Sequence, residues 1–115
     1  MTRGAEIAAV HVAEGRLVRL TAEIIGLCEA ARRAHYAQRT EALPVLLNAI
    51  IYVARALASA DDRLGRTATE MIDLVCMART TQQIYGVLEG LNAIEYAARA
   101  IASGTKAVET GAAAG

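Results

Sequence analysis

Leu47–Ser59, with the sequence LNAIIYVARALAS, aligns without gaps on Leu91–Ser103 (LNAIEYAARAIAS), and ten of the thirteen positions are identical. A second pair of segments aligns in the same way, because Ala13–Arg32 matches Ala60–Arg79 at nine of twenty positions. The segments occur in the same order in both copies, at offsets of 44 and 47 residues. The chain therefore contains a tandem duplication, and a repeat of this length predicts one supersecondary unit per copy.

Apolar side chains in both copies recur at the spacing that is typical of α-helices. In the first copy they alternate in steps of three and four residues, which places them on one helix face. They are Leu17, Leu20, Ile24, Leu27, Ala31 and Ala34, and the second copy repeats the pattern with Leu64, Thr67, Met71, Leu74 and Ala78. The pattern predicts helices A1 (about 15–37), B1 (about 41–59), A2 (about 62–81) and B2 (about 86–103).

Residues that begin or end helices flank these segments. Thr40 is the predicted N-cap of B1, and Pro44 fits the first helical turn, where a missing N–H costs nothing. Asp61 and Asp62 suit the N-terminus of A2, and Gly104 predicts the end of B2. Because these connections are short, consecutive helices should be antiparallel neighbours.

The predicted fold is all-α: a tandemly duplicated helical hairpin that forms an antiparallel four-helix bundle, with a short extra N-terminal helix. Residues 1–12 are the N-terminal helical segment, 13–103 form the hairpin bundle (13–59 and 60–103), and 104–115 are expected to be a flexible tail. Two repeats are too few for a solenoid that is stable alone. A solenoid-like or swapped assembly that another subunit completes stays open.

The composition of the chain narrows its functions only in part. Twelve basic and twelve acidic residues give zero formal charge, which counts against nucleic-acid binding. A local basic patch could still be formed by Arg16, Arg19, Arg32 and Arg33. Hydrophobic residues make up 55% of the chain without any Trp or Phe, so a monomer would have a thin core. We therefore expect additional burial between subunits.

No long apolar segment marks a signal peptide or a membrane span. The longest uncharged stretch, Ala42–Ala54, is short for a membrane and is interrupted by Pro44 and Asn48. Cys28 and Cys76 lack redox or metal spacing and are predicted to be buried free thiols. These features favour a cytoplasmic protein with no membrane partner.

Sequence motifs for catalysis, cofactors and metals are absent. There is no HExxH, CxxC, glycine-rich phosphate loop or GxSxG nucleophile elbow. His11 and His35 do not belong to Glu-x-x-His pairs, which argues against a carboxylate-bridged metal bundle. We therefore expect no cofactor, and an enzymatic activity has no support in the sequence.

A polar stripe recurs on both B helices at steps of four, three and four residues. It contains Asn48, Tyr52, Arg55 and Ser59 in B1, and Asn92, Tyr96, Arg99 and Ser103 in B2. The first interpretation is an outward face, at solvent or at an interface. The second is a buried polar seam between arginines and A-helix carboxylates, Arg55 with Glu70 and Arg99 with Glu23. The third is a site between B1 and B2 for an anionic or aromatic small molecule.

The copies differ next to this stripe, where B1 has Val45 and Ile51 and B2 has Glu89 and Glu95. B1 is therefore apolar almost all round, and a helix of this kind is covered on all sides. We predict that B1 contacts a second subunit in a closed dimer. The predicted interface consists of Leu47, Ile51 and Ala58, with Tyr52 and Arg55 at its margin. Coverage by segment 1–12 of the same chain is the alternative.

A further difference between the copies is Gly90, which stands where the first copy has Leu46. A glycine inside a helix predicts either close approach of a neighbouring helix or a small hollow that could hold a ligand. We favour the packing interpretation.

Three functional hypotheses follow from these patterns. The first is a non-catalytic helical interaction or assembly module that forms homo-oligomers, dimers or higher, through B1, with another protein partner left open. The alternative is a small-molecule-binding bundle, a sensor or carrier, with its site between B1 and B2. A nucleic-acid accessory protein is the weakest of the three because the net charge is zero.

Overall fold

Four α-helices and one short 3-10 helix make up the part of the chain that the structure describes. This computed structural model describes the backbone of residues 2–80 and 84–114 and the side chains of 15–80 and 86–104. The α-helices are α1 (Thr2–Tyr36), α2 (Ala42–Ala60), α3 (Gly65–Thr80) and α4 (Ile84–Ala114), and the 3-10 helix is Asp62–Leu64. No β-strand occurs among these residues, and the all-α prediction is confirmed.

Helices α1 and α4 are longer than the predicted A1 and B2. Segment 1–12 was expected to be a separate helix, but α1 runs without a break from Thr2 to Tyr36. The prediction that Gly104 ends B2 is wrong, because α4 passes through Gly104 without a positive φ. The side chains of 2–14 and of 105–114 lie outside the described part, so the coverage of B1 by segment 1–12 and the flexible tail stay predictions.

Helix α1 ends in a Schellman motif, although no glycine is present there. The amide N–H of Arg39 donates to the carbonyl of Ala34 at 2.9 Å, and that of Gln38 donates to His35 at 3.2 Å. Gln38 has a φ of 56°, the left-handed conformation that glycine usually occupies in this motif. The backbone geometry therefore turns the chain sharply towards α2 despite an unfavourable residue type.

The next two helices begin in different ways. Residue 41 is the N-cap of α2 and makes no side-chain capping bond, so the predicted cap Thr40 is wrong. Pro44 lies in the first turn of α2, as predicted. Asp61 caps the 3-10 helix before α3, because its carboxylate accepts a hydrogen bond from the backbone N–H of Arg63 at 3.0 Å. The side-chain and backbone hydrogen bonds from Arg63 lower the pKa of Asp61.

The four helices form a ring in which each one packs against two others. Helix α1 packs against α2 and α4, and α3 packs against the same two helices. The diagonal pairs α1/α3 and α2/α4 lie further apart, with no Cα atoms within 8 Å of each other among the described residues. The short connections make consecutive helices antiparallel. Helices α1 and α4 are also antiparallel, because contacts join residue 32 to 95 and residue 29 to 99.

The core of the bundle uses the same repeat positions in both copies. On α1 and α3, the equivalent buried pairs are Thr21/Ala68, Ile24/Met71, Cys28/Val75 and Ala31/Ala78. On α2 and α4 they are Leu47/Leu91, Ile50/Ile94 and Ala54/Ala98. Each buried Leu, Ile, Met or Val contributes about 1.5–3 kcal/mol. All four helices therefore supply side chains to one core.

The buried face of α1 is rotated by part of a turn from the predicted face. Leu20 and Leu27 are half-buried, whereas Thr21 and Cys28 are fully buried. The hydroxyl of Thr21 donates to the carbonyl of Leu17 at 2.9 Å, so this buried polar group has a partner. Helix α3 is rotated in the same sense, with half-buried residues at 67 and 74 and buried residues at 68 and 75.

Gly90 lies buried where α4 approaches α3. A Cβ added to Gly90 would be 3.5 Å from the carbonyl oxygen of Leu74 and 3.7 Å from the Cβ of Ala78, which is ordinary van der Waals contact. The space would therefore accept a methyl group, whereas a larger side chain would push the helices apart. The packing interpretation of Gly90 is confirmed.

Candidate functional site

Two grooves between neighbouring helices contain the same Arg–Asn hydrogen bond. In the α1/α4 groove, Nη2 of Arg32 donates to Oδ1 of Asn92 at 3.0 Å. In the α2/α3 groove, Nη1 of Arg79 donates to Oδ1 of Asn48 at 2.9 Å. The two arginines occupy equivalent positions of the repeat, and so do the two asparagines. Each bond joins an A helix of one copy to the B helix of the other.

Carboxylates neutralise the arginines of the α1/α4 groove. Glu95 accepts from Nη2 of Arg32 at 3.2 Å and from Nε of Arg99 at 3.4 Å, so it bridges the two guanidinium groups. Glu29 lies 4.0 Å from Nη2 of Arg99. The side chains of Arg32 and Glu95 are only 25% and 19% exposed. Their attraction is therefore less screened by water than that of a surface ion pair.

A buried thiol lies beside this charge network. Cys28 is fully buried, and burial, with a smaller effect from the nearby charge of Glu95, raises the pKa of its thiol to about 12. The thiol is therefore protonated at neutral pH and does not act as a nucleophile. The predicted burial is confirmed for Cys28 but is wrong for Cys76, which is exposed.

The α2/α3 groove has the same arginines but lacks the carboxylates. Ile51 stands in place of Glu95 and Cys76 in place of Glu29, while Arg55 is equivalent to Arg99. Arg55 makes no hydrogen bond or ion pair with any residue of the described part. The hydrogen-bond partner of Arg79 is the neutral amide of residue 48. This groove is therefore left with two positive charges that the first groove neutralises.

Acidic residues near the α2/α3 groove are few. Helix α2 has none, and α3 has Glu70 and Asp73. Glu70 lies 3.8 Å from Arg66 on the same helix, which confirms that these residues can pair four apart. Asp73 is exposed and forms no ion pair with Arg55. It is the nearest carboxylate along the helix to the exposed Cys76.

The predicted pairs of the polar seam are not formed. Arg99 pairs with Glu29 and Glu95 rather than with Glu23, and Glu70 pairs with Arg66 rather than with Arg55. The stripe residues are exposed on the bundle surface, and they are Asn48, Tyr52, Arg55, Asn92, Tyr96 and Arg99. Tyr52 and Tyr96 are 70% and 78% exposed. This placement corresponds to the outward face rather than to a buried seam.

The two B helices do not enclose a common site. Helices α2 and α4 lie diagonally across the bundle, with no Cα atoms within 8 Å of each other in the described part. Tyr52 and Arg55 therefore lie on one side of the bundle, and Tyr96 and Arg99 lie on the other. The geometry does not bring the residues of the predicted ligand site together.

The predicted interface residues of α2 lie at different depths. Leu47 is 2% exposed and packs in the core, so it is not available as an interface anchor. Ile51 and Ala58 are half-buried and pack against the same core. Tyr52 and Arg55 are exposed. Leu47, Ile51 and Ala58 therefore pack mainly within the bundle. The adjacent Asn48 side of α2 faces α3.

A different face of α2 is apolar and exposed. We define the outer face of α2 as Val45, Ala49, Tyr52 and Ala56, which are spaced four, three and four apart opposite the core side of the helix. Val45 is 67% exposed, Tyr52 is exposed, and the two alanines are half-buried. The equivalent positions on α4 are Glu89, Ala93, Tyr96 and Ala100. Sequence reasoning noted the Val45/Glu89 difference but did not include Val45 in the predicted interface.

Helix α2 also has the length and composition of a membrane span. Its 19 residues have a mean hydropathy of 1.7, and 22% of the most apolar window is buried. A core helix of a soluble protein can have the same length and composition, so this is weak evidence. No other helix of the described part meets the same criteria.

The described surface also contains a shallow cavity of about 470 Å³ where α1 ends and α2 begins. Its walls are mostly alanine, with two arginines at the rim, and it is lined by Ala30, Arg33, Ala34, Ala37, Arg39, Ala42 and Leu46. Among the described side chains, no group of three or more His, Cys, Asp or Glu residues could hold a metal ion.

Comparisons with known proteins give no relative from which a role could be transferred. No protein-family model matches the chain, and neither a curated protein nor a solved structure is significantly similar to it.

Proposed function

We propose that this protein is a non-catalytic helical interaction module, a duplicated hairpin that self-associates through the outer face of α2. The observation that supports this most strongly is the exposed, uncharged stripe centred on Val45 and Tyr52. The equivalent face of α4 has Glu89 in place of Val45, so of these two faces that of α2 alone is uncharged.

The duplicated hairpin is supported by two features of the bundle. The buried positions of α1 and α2 recur at the equivalent positions of α3 and α4. The Arg–Asn hydrogen bond also recurs, once in each groove. In this proposal both copies form the structural scaffold. The first copy also provides the contact surface, because its outer face has Val45 where the second has Glu89.

The chemistry of the outer face suits another helix as its occupant. Ala49 and Ala56 are small and allow close approach of a second backbone, while Val45 and Tyr52 provide apolar area on both sides. Burial of a Val or a similar side chain contributes about 1.5–3 kcal/mol. In a closed twofold dimer the same face is used by both copies, so every apolar contact is formed twice. An antiparallel α2 pair would place Ala49 of each copy next to Ala56 of the other.

The test is to give α2 the exterior of α4 by the substitution Val45→Glu. We expect the unmodified protein to be a dimer at micromolar concentration and Val45→Glu to be a monomer of unchanged helicity, because the glutamate would be buried without a partner. Size exclusion with light scattering measures the mass, and circular dichroism measures the helicity.

The matched control is Glu89→Val, which places valine at the equivalent position of α4 without altering α2. The control alone should leave the wild-type mass unchanged or raise it. An unmodified protein that is monomeric at these concentrations would contradict the proposal. A Val45→Glu variant that still forms the same dimer would also contradict it, because the interface would then lie elsewhere.

A further inference from the structure

We propose that the α2/α3 groove binds an acidic helical segment of a partner protein, whose carboxylates neutralise Arg55 and Arg79. This interaction is separate from self-association, because it uses the groove rather than the outer face of α2. Its basis is the difference between the two grooves, which share their arginines and asparagines but not their carboxylates.

The α1/α4 groove indicates what the arginine pair requires. There, the single carboxylate of Glu95 accepts hydrogen bonds from Arg32 and Arg99, at 3.2 and 3.4 Å. The α2/α3 groove repeats the arginines and the supporting asparagine, with the same Arg–Asn bond length to within 0.1 Å. Carboxylates placed beside Arg55 and Arg79 would therefore supply the neutralisation that Glu95 supplies to Arg99 and Arg32. Charge-assisted hydrogen bonds of this kind are the stronger ones in proteins.

The surroundings of the arginines favour a helical peptide as the source of that carboxylate. Arg79 lies beside Asn48, and Arg55 is seven residues further along α2, which corresponds to about two turns or 10 Å of helix. The half-buried Ile51 lies between them along α2. An amphipathic helix can place carboxylates two turns apart and apolar side chains between them. Carboxylates and apolar contacts would then be satisfied together.

Other anionic partners fit this groove less well. Duplex DNA needs an extended basic surface, whereas the chain has zero formal charge and an aspartate, Asp73, on the same helix as Arg79. The charges of Arg55, Arg79 and Asp73 together sum to a small positive value. A small positive charge favours a partner with few carboxylates over a polyanion. Removing its charge by Asp73→Asn should therefore tighten binding of the acidic segment.

The experiment uses a fluorescein-labelled amphipathic peptide of about 14 residues, with Glu residues two turns apart and Leu residues between them. Fluorescence anisotropy measures its affinity for the full-length protein, next to that of the same peptide with Gln in place of Glu. We expect the Glu peptide to bind at least about tenfold more tightly, with an affinity that falls as salt is raised. Asp73→Asn should increase the affinity by about two- to threefold.

Two variants of the protein locate the binding site. Ile51→Glu copies Glu95 and supplies an internal carboxylate, so the peptide should lose at least about tenfold in affinity. Arg55→Gln removes one of the two charges at an exposed position and should give a similar loss without affecting folding. Arg99→Gln in the α1/α4 groove is the matched control and should leave the affinity unchanged.

Several results would overturn the proposal. They are equal affinities for the Glu and Gln peptides, no binding of the Glu peptide, full binding by both Ile51→Glu and Arg55→Gln, or tighter binding of a DNA duplex than of the peptide. Repeating the titration with the Val45→Glu variant separates this proposal from self-association. A monomeric variant that does not bind the Glu peptide refutes the groove alone, whereas a dimeric variant that still binds it refutes self-association through the outer face alone.

Discussion

The α1/α4 and α2/α3 grooves are built on the same Arg–Asn bond and differ in what surrounds it. In the first groove, Glu95 and Glu29 neutralise the arginines within the chain. In the second, Ile51 and Cys76 occupy the equivalent positions, and no carboxylate of the described residues pairs with Arg55 or Arg79. Matching Arg–Asn contacts can therefore hold two grooves together while the surfaces around them differ in charge.

The same asymmetry appears in the packing of each hairpin. In the second hairpin, Gly90 lets α4 approach α3 closely, at the position where the first hairpin has Leu46. Leu46 lines the cavity between α1 and α2 instead. Gly90 thus packs against α3, whereas Leu46 lines a surface cavity, and the outer face of α4 has Glu89 where that of α2 has Val45.

The largest effect should come from giving the second hairpin the leucine of the first. Gly90→Leu adds four carbon atoms where only a methyl group fits, so we expect the free energy of unfolding to fall by about 3 kcal/mol. Urea denaturation followed by circular dichroism measures the change. Gly90→Ala is the control and should be neutral or stabilising by up to about 1 kcal/mol. A Gly90→Leu variant as stable as wild type would mean that α3 and α4 can separate freely.

A second substitution converts the neutralised groove into a copy of the other one. Glu95→Ile leaves Arg32 with Asn92 alone and removes a carboxylate from Arg99, and we expect a loss of about 2 kcal/mol in the free energy of unfolding. The reverse change, Ile51→Glu, should lower the free energy of unfolding only slightly or raise it, because the new carboxylate would lie near Arg55 and Arg79. If both variants have the same stability, the charge difference between the grooves has no energetic consequence.

A smaller effect concerns the buried thiol of the first copy. The pKa of Cys28 is raised to about 12 from an ordinary value of 9.0, because burial disfavours the thiolate. In the unfolded chain the thiol ionises near pH 9, so its contribution to stability is fully present below that pH and is lost as the pH rises towards 12. At pH 10 the loss should be about 1.4 kcal/mol.

The variant Cys28→Val copies Val75, the equivalent buried residue of α3, and removes the titrating group. Urea denaturation at pH 8 and at pH 10 should show a steeper loss of stability for wild type than for Cys28→Val. Tyrosine and lysine ionisation affect both proteins equally, so the difference isolates the thiol. Equal losses in the two proteins would contradict the burial effect.

Much of the fold could be predicted because its signals are local. Apolar side chains at steps of three and four gave the four helical segments, and Pro44 and Asp61 marked helix starts through their own backbone chemistry. The helix ends predicted at Thr40 and Gly104 are wrong, because a capping residue or a glycine allows a helix to end but does not require it. The Schellman turn at Gln38 could not be expected, since its residue type disfavours a positive φ.

The helical segments, the internal sequence identity and the positions at which the two similar segments differ can all be read from the amino-acid sequence, because periodicity and identity are properties of the chain. It identified Ile51 against Glu95 and Val45 against Glu89 before any contact was known. Those sequence differences do not show which residues contact these positions in the folded protein.

The contacts that these positions make depend on how the four helices pack together. Glu95 meets Arg32 across 63 residues of chain, and the A helix of each copy bonds to the B helix of the other. A modest rotation of each helix about its axis placed Leu47 in the core and Val45 at the surface. The physical reason is that such rotations follow from packing four helices at once, whereas a single helix pattern leaves neighbouring faces nearly equivalent.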